Sequence, residues 1–137
     1  MKIIMEDIMA LDQNMKILVI DDFSTMRKIV KGILRQLNFN NIVEADDGTT
    51  GLNVLQNEQV DFIICDWNMP KMTGLELLNV VRADDALKDI PFLMVTAESR
   101  QENIVEAVKV GANDYVVKPF TAEILDKKIK QIFSKSS

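Results

Sequence analysis

Short continuous apolar runs alternate along the chain with longer stretches in which apolar residues return every three or four positions. The first run spans Lys16 to Ile20 and closes on Asp21 and Asp22. Met26, Ile29, Val30, Ile33, Leu34 and Leu37 then recur at the spacing of one buried helical face. A second run, Asn41 to Ala45, leads through Asp47 and Gly48 to a helix carrying Leu52 and Leu55. The third, Phe62 to Cys65, ends in Asp66 and precedes a stripe of Leu75, Leu77, Leu78 and Val81. The fourth, Pro91 to Val95, ends in Thr96 and precedes Ile104, Val105 and Val108, on a helix that Gly111 is placed to stop. The fifth, Tyr115 to Val117, ends in Lys118 and Pro119 and leads to a last helix with Leu125, Ile129, Ile132 and Phe133.

Five strand–helix units in strict alternation predict an α/β fold, a parallel sheet with helices on both faces. Strands without polar alternation suit a sheet covered on two sides. No internal repeat, low-complexity tract or linker interrupts the pattern, so residues 15–137 are expected to form one domain. Residues 1–14 are expected to be an extension outside the core. Glu6, Asp7 and Asp12 break its apolar content, which argues against a secretory signal. The alternative is a short docking helix, since Ile4, Ile8 and Leu11 share helical spacing.

Composition narrows the chemistry. The 137 residues are 47 % hydrophobic and 27 % charged, enough for a real core but not for a separate output module as well. A net charge of −5 argues against nucleic acid or an anionic membrane as the main partner. No stretch is long and apolar enough to span a bilayer. The single cysteine, Cys65, excludes an intramolecular disulfide and points to a reducing, cytoplasmic setting. The absence of histidine removes Ser-His-Asp, Cys-His and zinc-histidine schemes. Carboxylates, hydroxyls and lysines remain.

Open parallel sheets collect ligands beyond the carboxyl ends of their strands. Those ends carry Asp21 and Asp22, then Asp66, Thr96 and Lys118, with the second strand expected at the sheet edge. Carboxylates brought together need a proton or a cation, and hard oxygen donors select Mg²⁺ or Mn²⁺ over zinc or copper. Lys118 could pair with a carboxylate or a phosphoryl group, and Thr96 could donate to a phosphoryl oxygen. Asp66, alone at the end of the central strand, is the best candidate for a nucleophile toward phosphorus, with Asp21 and Asp22 as metal ligands. Each residue has a plainer reading as a turn, cap, packed hydroxyl or solvated charge. The coincidence at corresponding strand ends favours a site.

The segments Asp21 to Arg27, Asp66 to Pro70, Met94 to Glu98 and Tyr115 to Thr121 resemble the CheY family of bacterial chemotaxis response regulators over about residues 15–134. The resemblance implies a flavodoxin-like five-stranded sheet of order 2-1-3-4-5. It implies phosphoryl transfer to Asp66 from a phosphohistidine on the histidine kinase CheA. It also implies Mg²⁺ held by Asp22, Asp66 and the main-chain carbonyl of Asn68, with Asp21 acting mostly through water. Thr96 and Lys118 would hold the phosphoryl oxygens, and Tyr115 would move inward with Thr96. Asn68 and Glu98 would tune self-dephosphorylation, and the Lys118–Pro119 bond would be cis. The output would be a monomeric, reversible contact of the fourth helix, fifth strand and fifth helix with the flagellar switch protein FliM, with a phosphatase as a further partner.

Some positions depart from that pattern. Thr73 stands where the family commonly has Asp, although Thr still caps a helix. Gln101, Glu106 and Val108 add bulk and remove positive charge on the output face, so a phosphate sink or a regulator of a non-motor target is the alternative. A flavodoxin-like electron carrier is more remote, because Asp21 and Asp22 would repel the FMN phosphate. A phosphohydrolase using Asp66 would need a substrate pocket and rapid turnover.

Overall fold

The structure is a computed structural model, and it describes residues 13–97 and 101–134. Five parallel strands form one sheet in the order β2-β1-β3-β4-β5. They are β1 (Ile17–Ile20), β2 (Ile42–Ala45), β3 (Phe62–Asp66), β4 (Phe92–Thr96) and β5 (Asp114–Val117). Between and after them lie α1 (Ser24–Gln36), α2 (Gly48–Asn57), α3 (Gly74–Ala83), α4 (Gln101–Val110) and α5 (Ala122–Ser134). The strand order and the edge position of β2 agree with the sequence reading. Residues 1–12, with Ile4, Ile8 and Leu11, lie outside the described residues; Met15, at the expected start of the domain, is buried.

Alternate residues of each central strand feed opposite cores, as the two-residue period requires. Leu18, Ile20, Ile63, Cys65, Phe92 and Met94 meet Leu55 of α2, Leu77, Leu78 and Val81 of α3, and Ala107 of α4. Ile17, Val19, Phe62, Ile64, Leu93 and Val95 meet Val30 and Leu34 of α1 and Leu125, Ile129 and Ile132 of α5. Each large side chain so buried contributes roughly 1.5–3 kcal/mol. Both faces are therefore covered, and the strands can be apolar throughout.

Two helical stripes are narrower than the spacing predicts. Ile29 is 47 % exposed, and α1 buries only Val30 and Leu34 fully. In α4, Val105 and Val108 are 44 % and 53 % exposed, while the small Ala107 makes the buried contact. A hydrophobic period fixes the direction of a face but not its width.

The helix starts are built locally. Asp47 caps α2 in a reciprocal box with Thr50, and Thr73 does the same for α3 with Glu76, so Thr at this position does cap its helix. Gly111, at φ +121°, follows the last turn of α4, and its N–H donates to the Ala107 carbonyl at 3.1 Å. Arg82 at the end of α3 donates to the carbonyls of Gly111 at 3.0 Å and Ile90 at 2.8 Å and to Asn113 Oδ1 at 3.0 Å. That clasp fixes the entry into β5.

Candidate phosphoryl and metal site

The strand register sets the site. Ile20 pairs with Cys65 and Asp66 with Val95, so β1, β3 and β4 end at one level. Asp66 and Thr96 are the last residues of their strands and are buried, each one residue further into the strand than the apolar runs suggested. Asp21 follows β1 and is also buried, whereas Asp22 is exposed. The chain beyond each strand is tied to a neighbour. Asp21 N–H donates to Ala45 O at 3.2 Å, Trp67 N–H to Val95 O at 2.8 Å and Lys118 N–H to Thr96 O at 2.8 Å.

Carboxylate oxygens of Asp21, Asp22 and Asp66 all lie within 4.8 Å of one another. Opposite them, Lys118 Nζ stands 3.0 Å from Asp21 Oδ2 and 3.0 Å from Asp66 Oδ1. The other oxygen of Asp21 accepts from the Phe23 N–H at 2.9 Å, and its carbonyl accepts from Arg27. The Lys118–Pro119 bond is cis, as the resemblance implies.

The electrostatics follow from burial. Desolvation pushes the Asp66 carboxyl up to about 6, against the pull of Lys118 and helped by the charges of Asp21 and Asp22. Lys118 loses hydration as well, yet the Asp66 and Asp21 carboxylates hold its ammonium above the usual lysine value. Burial, with Asp66 and Asp21 nearby, pushes the Cys65 thiol well up, so it stays a neutral core group. One lysine thus leaves the acidic cluster under-neutralised. The donor set is all oxygen, within reach of a single ion and partly open through Asp22, which fits Mg²⁺.

The geometry brings together Asp21, Asp22, Asp66 and Lys118, with Thr96 at the end of the adjoining strand. Asn68 is exposed two residues past Asp66 on the same loop. Tyr115 sits one strand over from Met94 on β5 and is half-buried. Glu98 and the side chain of Gln101 lie outside what is described; Glu106 is exposed on α4.

Sequence reasoning gave no role to three residues. Arg27 supports the Asp21 turn and also pairs with Glu44 at 3.0 Å. Gly74 lets α3 start against the site: a Cβ there would collide with the Asp66 carbonyl and lie 3.0 Å from Trp67 Cα. The Gly74 N–H donates to the Trp67 carbonyl at 2.9 Å. Lys128 places its ammonium 5.0 Å from the centroid of the Tyr115 ring. The quoted motifs hold Arg27, but only spatial contact exposes any of these roles.

Comparison with known proteins shows the family. Residues 17–130 match the response regulator receiver domain family. The chain is 58 % identical over 121 residues to the chemotaxis protein CheY of Pseudomonas aeruginosa, covering 88 % of this chain and 98 % of that protein. It is 55 % identical over 125 residues to chemotaxis protein CheY-3 of Vibrio cholerae, covering 91 % and 96 %. Among solved structures, chemotaxis response regulator CheY4 of Vibrio cholerae superposes with a TM-score of 0.80 at 36 % identity, covering 87 % of this chain and 98 % of that one. A putative response regulator from Chloroflexus aurantiacus gives 0.83 at 29 % identity, covering 88 % and 98 %.

Proposed function

The chain belongs to the response regulator receiver domain family, as a chemotaxis regulator of the CheY type, and from that premise we propose that Asp66 is its phosphoacceptor. The observation that carries this is the position of Asp66. It is buried at the end of the central strand, bridged by Lys118 and within reach of the Asp21 and Asp22 carboxylates.

The step is an in-line displacement. A carboxylate oxygen of Asp66 attacks the phosphorus of a phosphohistidine on the kinase. The new O–P bond forms as the P–N bond breaks, and the imidazole nitrogen leaves with the bonding pair and takes a proton from water. Asp22, Asp66 and the Asn68 carbonyl would hold Mg²⁺, with Asp21 acting through water. Bound there, the ion supplies charge neutralisation for the transferring group. Lys118 neutralises the remaining charge on the phosphoryl oxygens, and Thr96 donates its hydroxyl to one of them. Asn68, on the loop after Asp66, and Glu98, by its place in the motif, would tune hydrolysis of the aspartyl phosphate.

Phosphorylation adds roughly −1.5 to −2 charges beside Thr96 and Lys118. Tyr115 then moves inward with Thr96, and the face of α4, β5 and α5 changes its affinity for a target. Kinase CheA, the switch protein FliM and a phosphatase are the proposed partners of a cytoplasmic monomer; among the described residues no helix is long and apolar enough to cross a membrane. A flavin mononucleotide site is disfavoured by the acidic pair Asp21 and Asp22. A second reading, a regulator acting on a non-motor target or as a phosphate sink, is favoured by the exposed Val105, Glu106 and Val108 on α4. Two assays separate these readings. Phosphoryl transfer from phosphorylated kinase in Mg²⁺ tests the acceptor role. Retention of the chain on immobilised switch-protein peptide, with and without beryllofluoride, tests the target: beryllofluoride-dependent retention supports the motor, and equal absence under both conditions supports the second reading.

A further inference from the structure

The groups around Tyr115 make a contact that the phosphoryl chemistry does not use. Asp114 opens β5, and its Oδ1 accepts from the Tyr115 N–H at 2.8 Å and from Lys128 Nζ at 3.0 Å. Lys128 projects from α5, and the same ammonium faces the Tyr115 ring, 5.0 Å from its centroid. The Asp114 and Lys128 side chains are only 15 % and 26 % exposed, so neither interaction is fully screened by water. The ring also packs against the apolar core shared by α2, α3 and α4. One cation is thus held by a carboxylate at the base of the tyrosine and by the face of its ring.

We infer that Asp114 and Lys128 form a latch that holds the Tyr115 ring in its half-buried position, and that the latch lowers the affinity of the distant Asp66 site for a phosphoryl group. The inference rests on the receiver reading, in which Tyr115 moves inward when that site is loaded. Inward movement takes the ring away from the ammonium, while the ion pair keeps Lys128 from following. The contact therefore favours the unloaded arrangement. By reciprocity, whatever favours that arrangement weakens binding at the other end of the same two-state element. Asp114 and Lys128 act as positioning residues, because they touch neither the metal nor the phosphoryl oxygens.

The test is a beryllofluoride titration in Mg²⁺, read by the fluorescence of Trp67, the single tryptophan. Asp114→Asn removes the carboxylate charge and Lys128→Gln the cation. Lys128→Arg keeps both the ion pair and the ring contact. The Asn and Gln variants are expected to bind beryllofluoride about two- to fivefold more tightly than the wild type, the scale of one partly covered cation–π contact. The Arg variant should match the wild type, and the midpoint for Mg²⁺ alone should be the same in all four proteins. Wild-type midpoints in both the Asn and Gln variants would overturn the latch. So would an equal shift in the Mg²⁺-only titration, which would mark a general disturbance of the site. A wild-type protein that does not respond to beryllofluoride overturns the receiver reading itself, so the two failures are told apart.

Discussion

Lys118 Nζ lies 3.0 Å from Asp66 Oδ1, joining the turn after β5 to the end of the central strand. It is a half-shielded cation shared with Asp21, and it is the one group of the site that can follow a phosphoryl oxygen while staying attached to β5. Replacing it by alanine should leave the three carboxylates free to hold Mg²⁺ but remove the link between a loaded Asp66 and the output face. For Lys118→Ala, the gain in target affinity on adding beryllofluoride should fall from the ~5–150-fold typical of such coupling to near one. Calorimetry with the target peptide measures it. An undiminished gain would show that the signal leaves the site by another route.

The burial of Asp66 has a cost that depends on pH. Its carboxyl titrates at about 6 in the fold against an ordinary aspartate value of 3.8, so the folded state binds the proton more tightly. For a group raised in this way, stability is greatest below the unfolded value and declines as pH rises through about 4 to about 6. The full cost, up to about 3 kcal/mol, is present at neutral pH. Urea denaturation in a chelator should show this decline in the wild type and a flatter profile in Asp66→Asn. Mg²⁺ should stabilise the wild type more at neutral pH than near pH ~4, because ligand binding needs the ionised form. Parallel pH profiles for the two proteins would refute the assignment of the decline to this group.

Gly74 is required by space. An added methyl would meet the backbone of Asp66 and Trp67, neither of which can rotate away. Gly74→Ala should cost about 1–3 kcal/mol in urea denaturation, the scale of overpacking. Because the clash is with the Asp66 carbonyl, it should also displace the phosphoacceptor loop and weaken the Mg²⁺ response. A variant of wild-type stability would mean that the start of α3 moves freely.

Trp67 follows Asp66 and is partly buried against the core of α2, α3 and α4. An ion entering between the carboxylates changes the field beside the indole. Titrating Mg²⁺ to millimolar levels should therefore change its emission in the wild type and much less in Asp66→Asn. A flat wild-type titration would count against the metal site.

Most of the architecture was legible because it is written in local periods. Apolar runs became strands, three- and four-residue recurrences became helices, and the alternation fixed the parallel sheet. Asp21, Asp22, Asp66 and Lys118 could be grouped because their positions at strand ends are topologically equivalent, even though their contacts are not local. Ile29 is half exposed although its spacing sets it on the buried face of α1, because a period carries no information on how wide a neighbour's face is. On α4 the inward contact is made by Ala107, a residue too small to stand out in a hydrophobic pattern. Gly74, Arg82 and the Asp114–Lys128 pair were invisible for a different reason. Their roles depend on distances between separate elements, and no spacing along the chain encodes those.

The acceptor role of Asp66 is tested most directly by intact-protein mass measurement after incubation with acetyl phosphate, followed by borohydride reduction of the aspartyl phosphate to mark the phosphorylated residue. The wild type in Mg²⁺ is expected to gain one phosphoryl mass, with reduction at residue 66. The gain should vanish in chelator and in Asp66→Asn. Wild-type levels of labelling in the Asn variant, or labelling that persists without divalent metal, would contradict it.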